Sequence, residues 1–506
     1  MKPTSPQLDV IVVGAGLSGI AAGYYLKTKT PWANFKIYES RSSLGGTWDL
    51  FQYPGIRSDS DMYTLGFSFN PWKSKQSIAD GPNILNYLKS TASKYKIEDY
   101  ISFNHKVIEA NWSSQDNYWT VLVQNDVDPT GDSSSSARTF EITCKFLFFC
   151  SGYYNYDHGY LPEFKNIENF KNTIIHPQFW PEDLNYDDKD IVIIGSGATA
   201  VTLIPSLAKK ANKVTMLQRS PTYIVTLPKE DPIANFIDRM LPDKISGPIV
   251  RWLKALTSQA SYRLSKIFPK QMASMIKWQV KAQLPKDFDV DKHFTPKYNP
   301  WDQRLCVVPD GDLFKAIRHK KADVVTDQIE YFTEDGIMLS SENELKADIV
   351  ITATGLDLVF LGNVKVTVDA EPLIFRDHIT YRGMMLDSVP NLAWSIGYTN
   401  ASWTLKAELI CDFTTRMLNK MHNLDKWVVY PSTRNGSVFQ EPLMGLSSGY
   451  ILRSLATFPQ QGSKYPWKVY QSYLKDFILT KLPNAINDDS LVFSDTFDAK
   501  NTKISS

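Results

Sequence analysis

Two glycine-rich turns, each directly after a run of apolar β-branched residues, constrain the fold of this 506-residue chain more than any other feature. The key positions of the two turns are Gly14, Gly16 and Gly19, and Gly195, Gly197 and Ala200. A helix-prone stretch follows each turn, so each turn would direct a helix N-terminus towards a pyrophosphate. The sequence therefore predicts an α/β fold with two Rossmann-like dinucleotide-binding domains.

The residue after the second strand of each unit distinguishes the two nucleotides, because this position meets the adenosine ribose. In the first unit the strand ends at Glu39, whose carboxylate suits two free ribose hydroxyls, as in FAD or NAD. In the second unit the strand continues into Gln218, Arg219 and Ser220, which include no acid. Arg219 is placed to pair with a 2′-phosphate, so we expect NADPH there.

Composition excludes several other classes of protein. The 55 Lys and Arg residues nearly balance the 54 Asp and Glu residues, which gives no electrostatic case for nucleic-acid binding. The four cysteines form no C-x-x-C pair and the seven histidines have no ligand spacing, so we predict neither a redox dithiol nor a metal site. No apolar run is long enough to span a membrane. We expect a cytoplasmic protein, with peripheral membrane association and oligomeric state left open.

We divide the chain into two predicted domains. Residues 1–160 and 346–506 form a discontinuous FAD-binding domain, and residues 161–345 form an NADPH-binding domain. A stretch from about 228 to 290 carries apolar residues at helical spacing, such as Ile233 and Phe236, and is predicted to be a helical insertion. We interpret its apolar residues as packing positions rather than as substrate contacts.

One stretch of the chain narrows the chemistry. Residues 45–59 match the pattern G-G-x-W-x(4)-Y-P-G-x(3)-D at every fixed position, and here the chain resembles the Baeyer–Villiger monooxygenases, which are flavoproteins. A second pattern of that family, F-x-G-x(3)-H-x(3)-W-P, is matched at Phe170, His176, Trp180 and Pro181. It departs at Asn172, where glycine is usual; Asn tolerates positive φ next best, so we expect the backbone turn to be kept.

The resemblance extends over nearly the whole chain. Residues 218–224, 298–305, 308–314 and 397–406 are similar to the ethionamide-activating branch of this family. The resemblance implies FAD, NADPH and dioxygen as reactants, with a C4a-peroxyflavin as the oxygenating species. It also implies Baeyer–Villiger oxidation of ketones to esters or lactones, and oxidation of sulfides and thioamides.

Arg304 and Asp59 are the predicted catalytic residues, because they match the family's catalytic arginine and its neighbouring carboxylate. A guanidinium does not readily lose its proton, so Arg304 can stabilise a negative oxygen. Asp59 would pair with Arg304 and hold it in place. Gln303 stands where many relatives have a lysine that binds the 2′-phosphate, which leaves more of that role to Arg219.

Both lines of reasoning together give a set of cofactor-binding residues. The predicted set is Gly14, Gly16, Ser18, Gly19, Glu39, Gly46, Thr47, Trp48, Asp49, Leu50, Arg57, Ser58, Asp59, Val107, Gly195, Ser196, Gly197, Ala198, Thr199, Ala200, Val201, Gln218, Arg219 and Ser220.

Two alternative functions stay open at this point. One is an N- or S-oxygenating flavin monooxygenase without activity on ketones, since such enzymes share the double dinucleotide fold. The other is a non-catalytic flavin redox sensor, whose bound flavin NADPH would not reduce at a useful rate.

Overall fold

The computed structural model describes residues 5–125, 138–433 and 440–497, and its first unit is built on a nine-stranded sheet. The parallel part of this sheet contains, in spatial order, Ile101–Ser102, Phe35–Tyr38, Leu8–Val13, the C-terminal half of Arg138–Phe149, and Leu392–Trp394. The sheet continues from the N-terminal half of Arg138–Phe149 through Tyr118–Asn125, His105–Ser113, Lys365–Val368 and Glu371–Pro372.

The strand Leu8–Val13 lies in the middle of this sheet, and Val10, Ile11 and Val12 are fully buried. Both faces of a parallel strand are covered, which explains why its sequence is an uninterrupted apolar run. The helices Leu17–Lys29 and Trp403–Asn423 pack against each other beside this sheet. A helix from the C-terminal part of the chain thus completes the core that the first residues begin.

The second unit is a five-stranded parallel sheet. Its strands, in spatial order, are Ala322–Thr326, Lys213–Gln218, Asp190–Ile194, Ile349–Thr352 and Thr173–Ile175. The predicted domain boundary at residue 346 therefore precedes a strand of the second sheet, because the apolar run 349–352 is buried between two parallel neighbours. The chain returns to the first sheet at Lys365–Val368.

The chain crosses between the units twice, and the two crossings, Tyr154–Gly159 and Leu356–Leu358, pair as antiparallel strands. His176 packs against this pair: a Cβ at Gly159 would lie 2.0 Å from its ring, and its Nε2 lies 3.3 Å from the Gly355 carbonyl oxygen. The left-handed turn expected at Asn172 is wrong, since Asn172 does not have positive φ. Its side-chain amide instead donates to the Ala347 carbonyl at 3.1 Å.

The predicted insertion is helical, and it packs on the first unit. Its helices are Pro232–Met240, Asp243–Ile267, Pro269–Lys281 and Val290–Phe294. The Asp231 side chain accepts from the first free backbone N–H groups of the first of these helices. Arg251, buried in the second, donates to the carbonyls of Tyr63, Thr64 and Gly66 and pairs with Glu408 at 2.6 Å.

The remaining elements complete the two units. The other α-helices are Thr47–Leu50, Met62–Leu65, Gly81–Lys94, Ala198–Leu207, Asp312–Arg318, Gly449–Ser454 and Tyr473–Lys481. The smaller sheets are Ile224–Leu227 with Cys306–Pro309, Ile329–Phe332 with Gly336–Leu339 and Glu344–Lys346, Thr380–Tyr381 with Met385–Leu386, Val428–Pro431 with Leu491–Ser494, and Gln440–Pro442 with Gln460–Gly462. Within the described ranges, none of the helices combines the length and the apolar character that a membrane span requires.

Candidate active site

A cavity of about 1230 Å³ lies between the two units and is lined by both glycine turns. Sites for a single small molecule are usually about 300–1000 Å³. The cavity therefore has room for more than one ligand. Residues from the C-terminal part of the chain, such as Trp403 and Tyr450, form part of its wall.

The first turn fits a bound pyrophosphate. The helix Leu17–Lys29 begins after Gly16 with no capping side chain and no acid in its first turn, so its first N–H groups are left for an anion. Gly14 has φ of +98°, and a Cβ there would lie 2.8 Å from the Cys150 carbonyl oxygen. A Cβ at Gly19 would lie 1.9 Å from the Gly14 carbonyl oxygen, which explains the tight contact of helix and strand.

Glu39, the predicted ribose contact, directly follows the strand Phe35–Tyr38. Its side chain is buried, lines the cavity, and accepts from the backbone N–H groups of Ala15 at 2.7 Å and Arg41 at 2.9 Å. Burial raises the pKa of Glu39, while these donors act in the opposite direction. The carboxylate is thus held in a fixed position from which it can accept from ribose hydroxyls.

The second turn has the same design. The helix Ala198–Leu207 begins after Gly197, again with no capping side chain and no acid in its first turn. A Cβ at Gly195 would lie 2.3 Å from the Ala353 carbonyl oxygen, whereas a Cβ at Gly197 would meet no atom within 4 Å. The open space at Gly197 lets a phosphate approach the backbone. Arg219 and Ser220 are exposed at the cavity wall, and a guanidinium such as that of Arg219 is chemically suited to a 2′-phosphate.

Arg304 and Asp59 both line the cavity between the two turns. The Nε of Arg304 donates to the Thr399 carbonyl at 3.3 Å. Loss of hydration lowers the pKa of Arg304, but electrostatic interactions with its neighbours raise this pKa by more, so Arg304 stays protonated. The neighbours that raise it are Tyr153, Tyr450, Tyr154 and Asp59.

Burial has the larger effect on Asp59 and raises its pKa, although the charges of Arg304 and Arg57 act to lower it. The expected direct pairing of Asp59 with Arg304 is not found: among the ion pairs of the described residues, none joins them. The two groups therefore interact through their charges and not through a hydrogen-bonded salt bridge.

Arg57 connects the two units. It lines the cavity and pairs with Asp312 at 2.6 Å, in the first turn of a helix of the second unit. Its Nε is buried and has no hydrogen-bond partner among the described residues. A polar group of a bound nucleotide would satisfy this donor, which supports the predicted role of Arg57 in cofactor binding.

Most of the predicted site residues line this cavity. The predicted residues that line it are Gly14, Gly16, Ser18, Glu39, Gly46, Thr47, Trp48, Arg57, Ser58, Asp59, Val107, Gly195, Ser196, Gly197, Ala198, Thr199, Arg219, Ser220 and Arg304. The predicted residues that lie behind its wall are Gly19, Asp49, Leu50, Ala200, Val201 and Gln218.

Those residues behind the wall have structural contacts instead. Asp49 pairs with Arg41 at 2.7 Å. Gln218 is buried, and its amide donates to the His293 carbonyl and to the Thr326 hydroxyl, both at 2.8 Å. The side chain of Gln218 thus joins the second sheet to the insertion, and its contact with a cofactor stays a prediction.

Sequence reasoning did not place four aromatic residues in the site, namely Tyr153, Tyr154, Trp403 and Tyr450, although all four line the cavity. The signal that could have found Tyr153 is the pair of small residues before it, Ser151 and Gly152, because they follow an apolar strand and leave room for a cofactor. No local signal marked Tyr450, since it comes from a helix far along the chain. Burial raises the pKa of Tyr450 to about 12, so this phenol stays neutral beside Arg304.

Two family models and several relatives of known type match the sequence of this chain. The family model of flavin-binding monooxygenase-like proteins matches residues 76–379, and that of NAD(P)-binding Rossmann-like domains matches residues 12–75. The chain is 52% identical over 488 residues to the FAD-containing monooxygenase EthA of Mycobacterium tuberculosis, covering 96% of this chain and 98% of that protein. It is 44% identical to the probable FAD-binding monooxygenase AlmA of Acinetobacter baylyi, over 96% of both chains.

Solved structures show the same fold. A steroid monooxygenase bound to NADP aligns with a TM-score of 0.77 at 20% identity, covering 97% of this chain and 100% of that chain. OTEMO in complex with FAD and NADP aligns with a TM-score of 0.74 at 19% identity and the same coverage. The double dinucleotide fold predicted from the sequence is confirmed. The chain belongs to the flavin-binding monooxygenase-like family and is a flavin-dependent monooxygenase.

Proposed function

We propose that this enzyme uses NADPH and dioxygen to convert ketones to esters or lactones and to oxidise sulfides and thioamides. The observation that carries the proposal is that Arg304 and two uncapped helix N-termini line one shared cavity. FAD would bind at the first turn and Glu39, and NADPH at the second turn and Arg219. Bound FAD, once reduced by NADPH, supplies the electrons that activate dioxygen.

The protein's own part in this reaction is charge placement and water exclusion. Arg304 keeps its proton and presents a fixed positive charge to the negative oxygen atoms that form during oxygen transfer. Asp59 lines the same cavity and interacts electrostatically with Arg304, which contributes to the raised pKa of that arginine. Tyr153, Trp403 and Tyr450 line the same cavity as Arg304, and this aromatic surface would limit the access of water to the reacting atoms once both nucleotides are bound.

Product analysis tests the proposal. The purified holoenzyme is incubated with NADPH and either phenylacetone or a 2-alkanone, and separately with an aryl methyl sulfide, and the products are identified by mass spectrometry. We expect an ester from each ketone and a sulfoxide from the sulfide. Sulfoxide without any ester over a broad ketone panel would establish the S-oxygenating alternative instead.

Flavin reduction addresses the redox-sensor alternative. Anaerobic mixing with NADPH in a stopped-flow instrument is expected to bleach the flavin absorbance within the time of one turnover. A flavin that stays oxidised over many turnover times would contradict an oxygenase function.

A further inference from the structure

The insertion exposes an unusual amount of apolar surface. Of the twenty-three large apolar residues that are exposed in the described chain, twelve lie on residues 232–281. Phe236 is 63% exposed, Ile267 66% and Trp278 71%. We call the exposed side of the helices Pro232–Met240, Asp243–Ile267 and Pro269–Lys281 the insertion surface. Apolar exposure concentrated in this way marks an interaction site rather than the scattered exposure of a normal surface.

The exposed apolar residues follow one stripe on each helix. On the first helix, Ile233, Phe236 and Met240 have spacings of three and four residues. The opposite side of that helix is buried through Ala234, which packs with Val250 against the first unit. The apolar stripes are therefore not the core-facing sides of these helices, and no described residue covers them. The packing role expected for Ile233 and Phe236 is thus wrong, because these side chains are 59% and 63% exposed.

The insertion surface is also basic. Residues 232–281 contain nine lysine or arginine residues and two aspartates, whereas the formal net charge of the whole chain is only +1. The cations that are exposed and form no ion pair with a described residue are Arg239, Lys244, Arg263, Lys270 and Lys281. Apolar stripes flanked by lysine and arginine are typical of helices that lie in the plane of a membrane interface.

We propose that the insertion surface docks onto an anionic lipid bilayer, with its apolar stripes among the upper acyl chains and its cations among the headgroups. A second copy of the chain fits less well, because a two-fold interface would bring two basic surfaces together. Lysine is moreover depleted from the centres of protein interfaces. Anionic headgroups supply the opposite charge that these cations lack.

Vesicle co-sedimentation of the holoenzyme tests this proposal. We expect binding to vesicles of equal parts phosphatidylglycerol and phosphatidylcholine, and at least tenfold weaker binding to pure phosphatidylcholine. Raising NaCl from about 0.05 M to about 0.5 M is expected to release a large part of the bound protein, because salt screens the headgroup charge.

Two double variants separate the apolar and basic contributions. We expect Phe236→Ser with Trp278→Ser, and likewise Lys244→Glu with Lys270→Glu, to weaken binding to the anionic vesicles at least tenfold. The matched controls are Ile374→Ser, which removes an apolar side chain that is 53% exposed outside the insertion, and Lys346→Glu. Both controls are expected to bind as the unchanged protein does.

Retained FAD and unchanged NADPH oxidation verify that each variant is folded. The proposal is overturned if the unchanged protein ignores anionic vesicles, or if the insertion variants bind as the controls do. It is equally overturned if light scattering shows a lipid-free oligomer that the insertion variants dissociate while vesicle binding is absent, since the surface would then join two copies of the chain.

Discussion

Arg304 combines two properties that a residue stabilising negative oxygen needs: it keeps its charge, and it faces the space between the two nucleotide turns. We expect Arg304→Ala to retain FAD but to lower ester formation by at least about 100-fold, the usual cost of removing a donor to a developing oxyanion. NADPH oxidation should continue with release of hydrogen peroxide. Product and peroxide are quantified together, with Arg376→Ala, an exposed arginine elsewhere, as control. Normal ester yield in Arg304→Ala would refute the assignment.

Arg219 is the residue on which the coenzyme preference depends. A charged hydrogen bond to the 2′-phosphate contributes about 1.5–3 kcal/mol, so Arg219→Ala should raise the KM for NADPH about 10- to 100-fold. The KM for NADH, which has no 2′-phosphate, should change little. Steady-state kinetics with both coenzymes measures this difference. An equal loss with NADPH and NADH would mean that Arg219 supports the fold of the turn rather than the phosphate.

At the level of elements, the second glycine turn contains two glycines that are needed for different reasons. Gly195 has φ of +136° and no room for a Cβ, so Gly195→Ala should destabilise the enzyme by more than about 2 kcal/mol. Gly197 has φ of −78° and open space beside it, so Gly197→Ala should change stability by less than about 1 kcal/mol while weakening NADPH binding about tenfold. Denaturant unfolding and NADPH titration of both variants check this contrast; similar destabilisation by both would contradict it.

The two glycine turns and the strands and helices beside them also show which parts of the site could be predicted from the sequence. Strand, turn and helix are adjacent in the chain at both glycine turns, so the positions of Gly14, Glu39 and Arg219 followed from local pattern alone. Gln218 shows the limit of that reasoning. It lies at the predicted strand end, but the direction of its side chain is set by His293 and Thr326, which are 75 and 108 residues away.

At the scale of the whole molecule, the two glycine turns correctly predicted two dinucleotide-binding units. They contain no information on which surfaces of the two units and the insertion pack against each other. The boundary near residue 346 was misplaced because the run 349–352 is apolar enough for either sheet, and only its pairing with Asp190–Ile194 decides. Tyr450 reaches Arg304 through the same kind of long-range packing. Such contacts depend on the assembled fold, so no periodic pattern of residues in the sequence indicates them.

The insertion is joined to the first unit through the buried ion pair of Arg251 and Glu408. Arg251→Met leaves the Glu408 carboxylate buried without its cation and three carbonyls without their donor, which should destabilise the enzyme by about 3–5 kcal/mol. Adding Glu408→Gln should restore part of that loss, because the unpaired charge is then removed. Lys73→Met is the matched control: its pair with Asp243 also joins the insertion to the first unit but is exposed, at 74% and 73%, so no measurable change is expected. Thermal and denaturant midpoints of the FAD-saturated proteins measure all three effects. If Arg251→Met were as stable as Lys73→Met, burial of the pair would not be what holds the insertion in place.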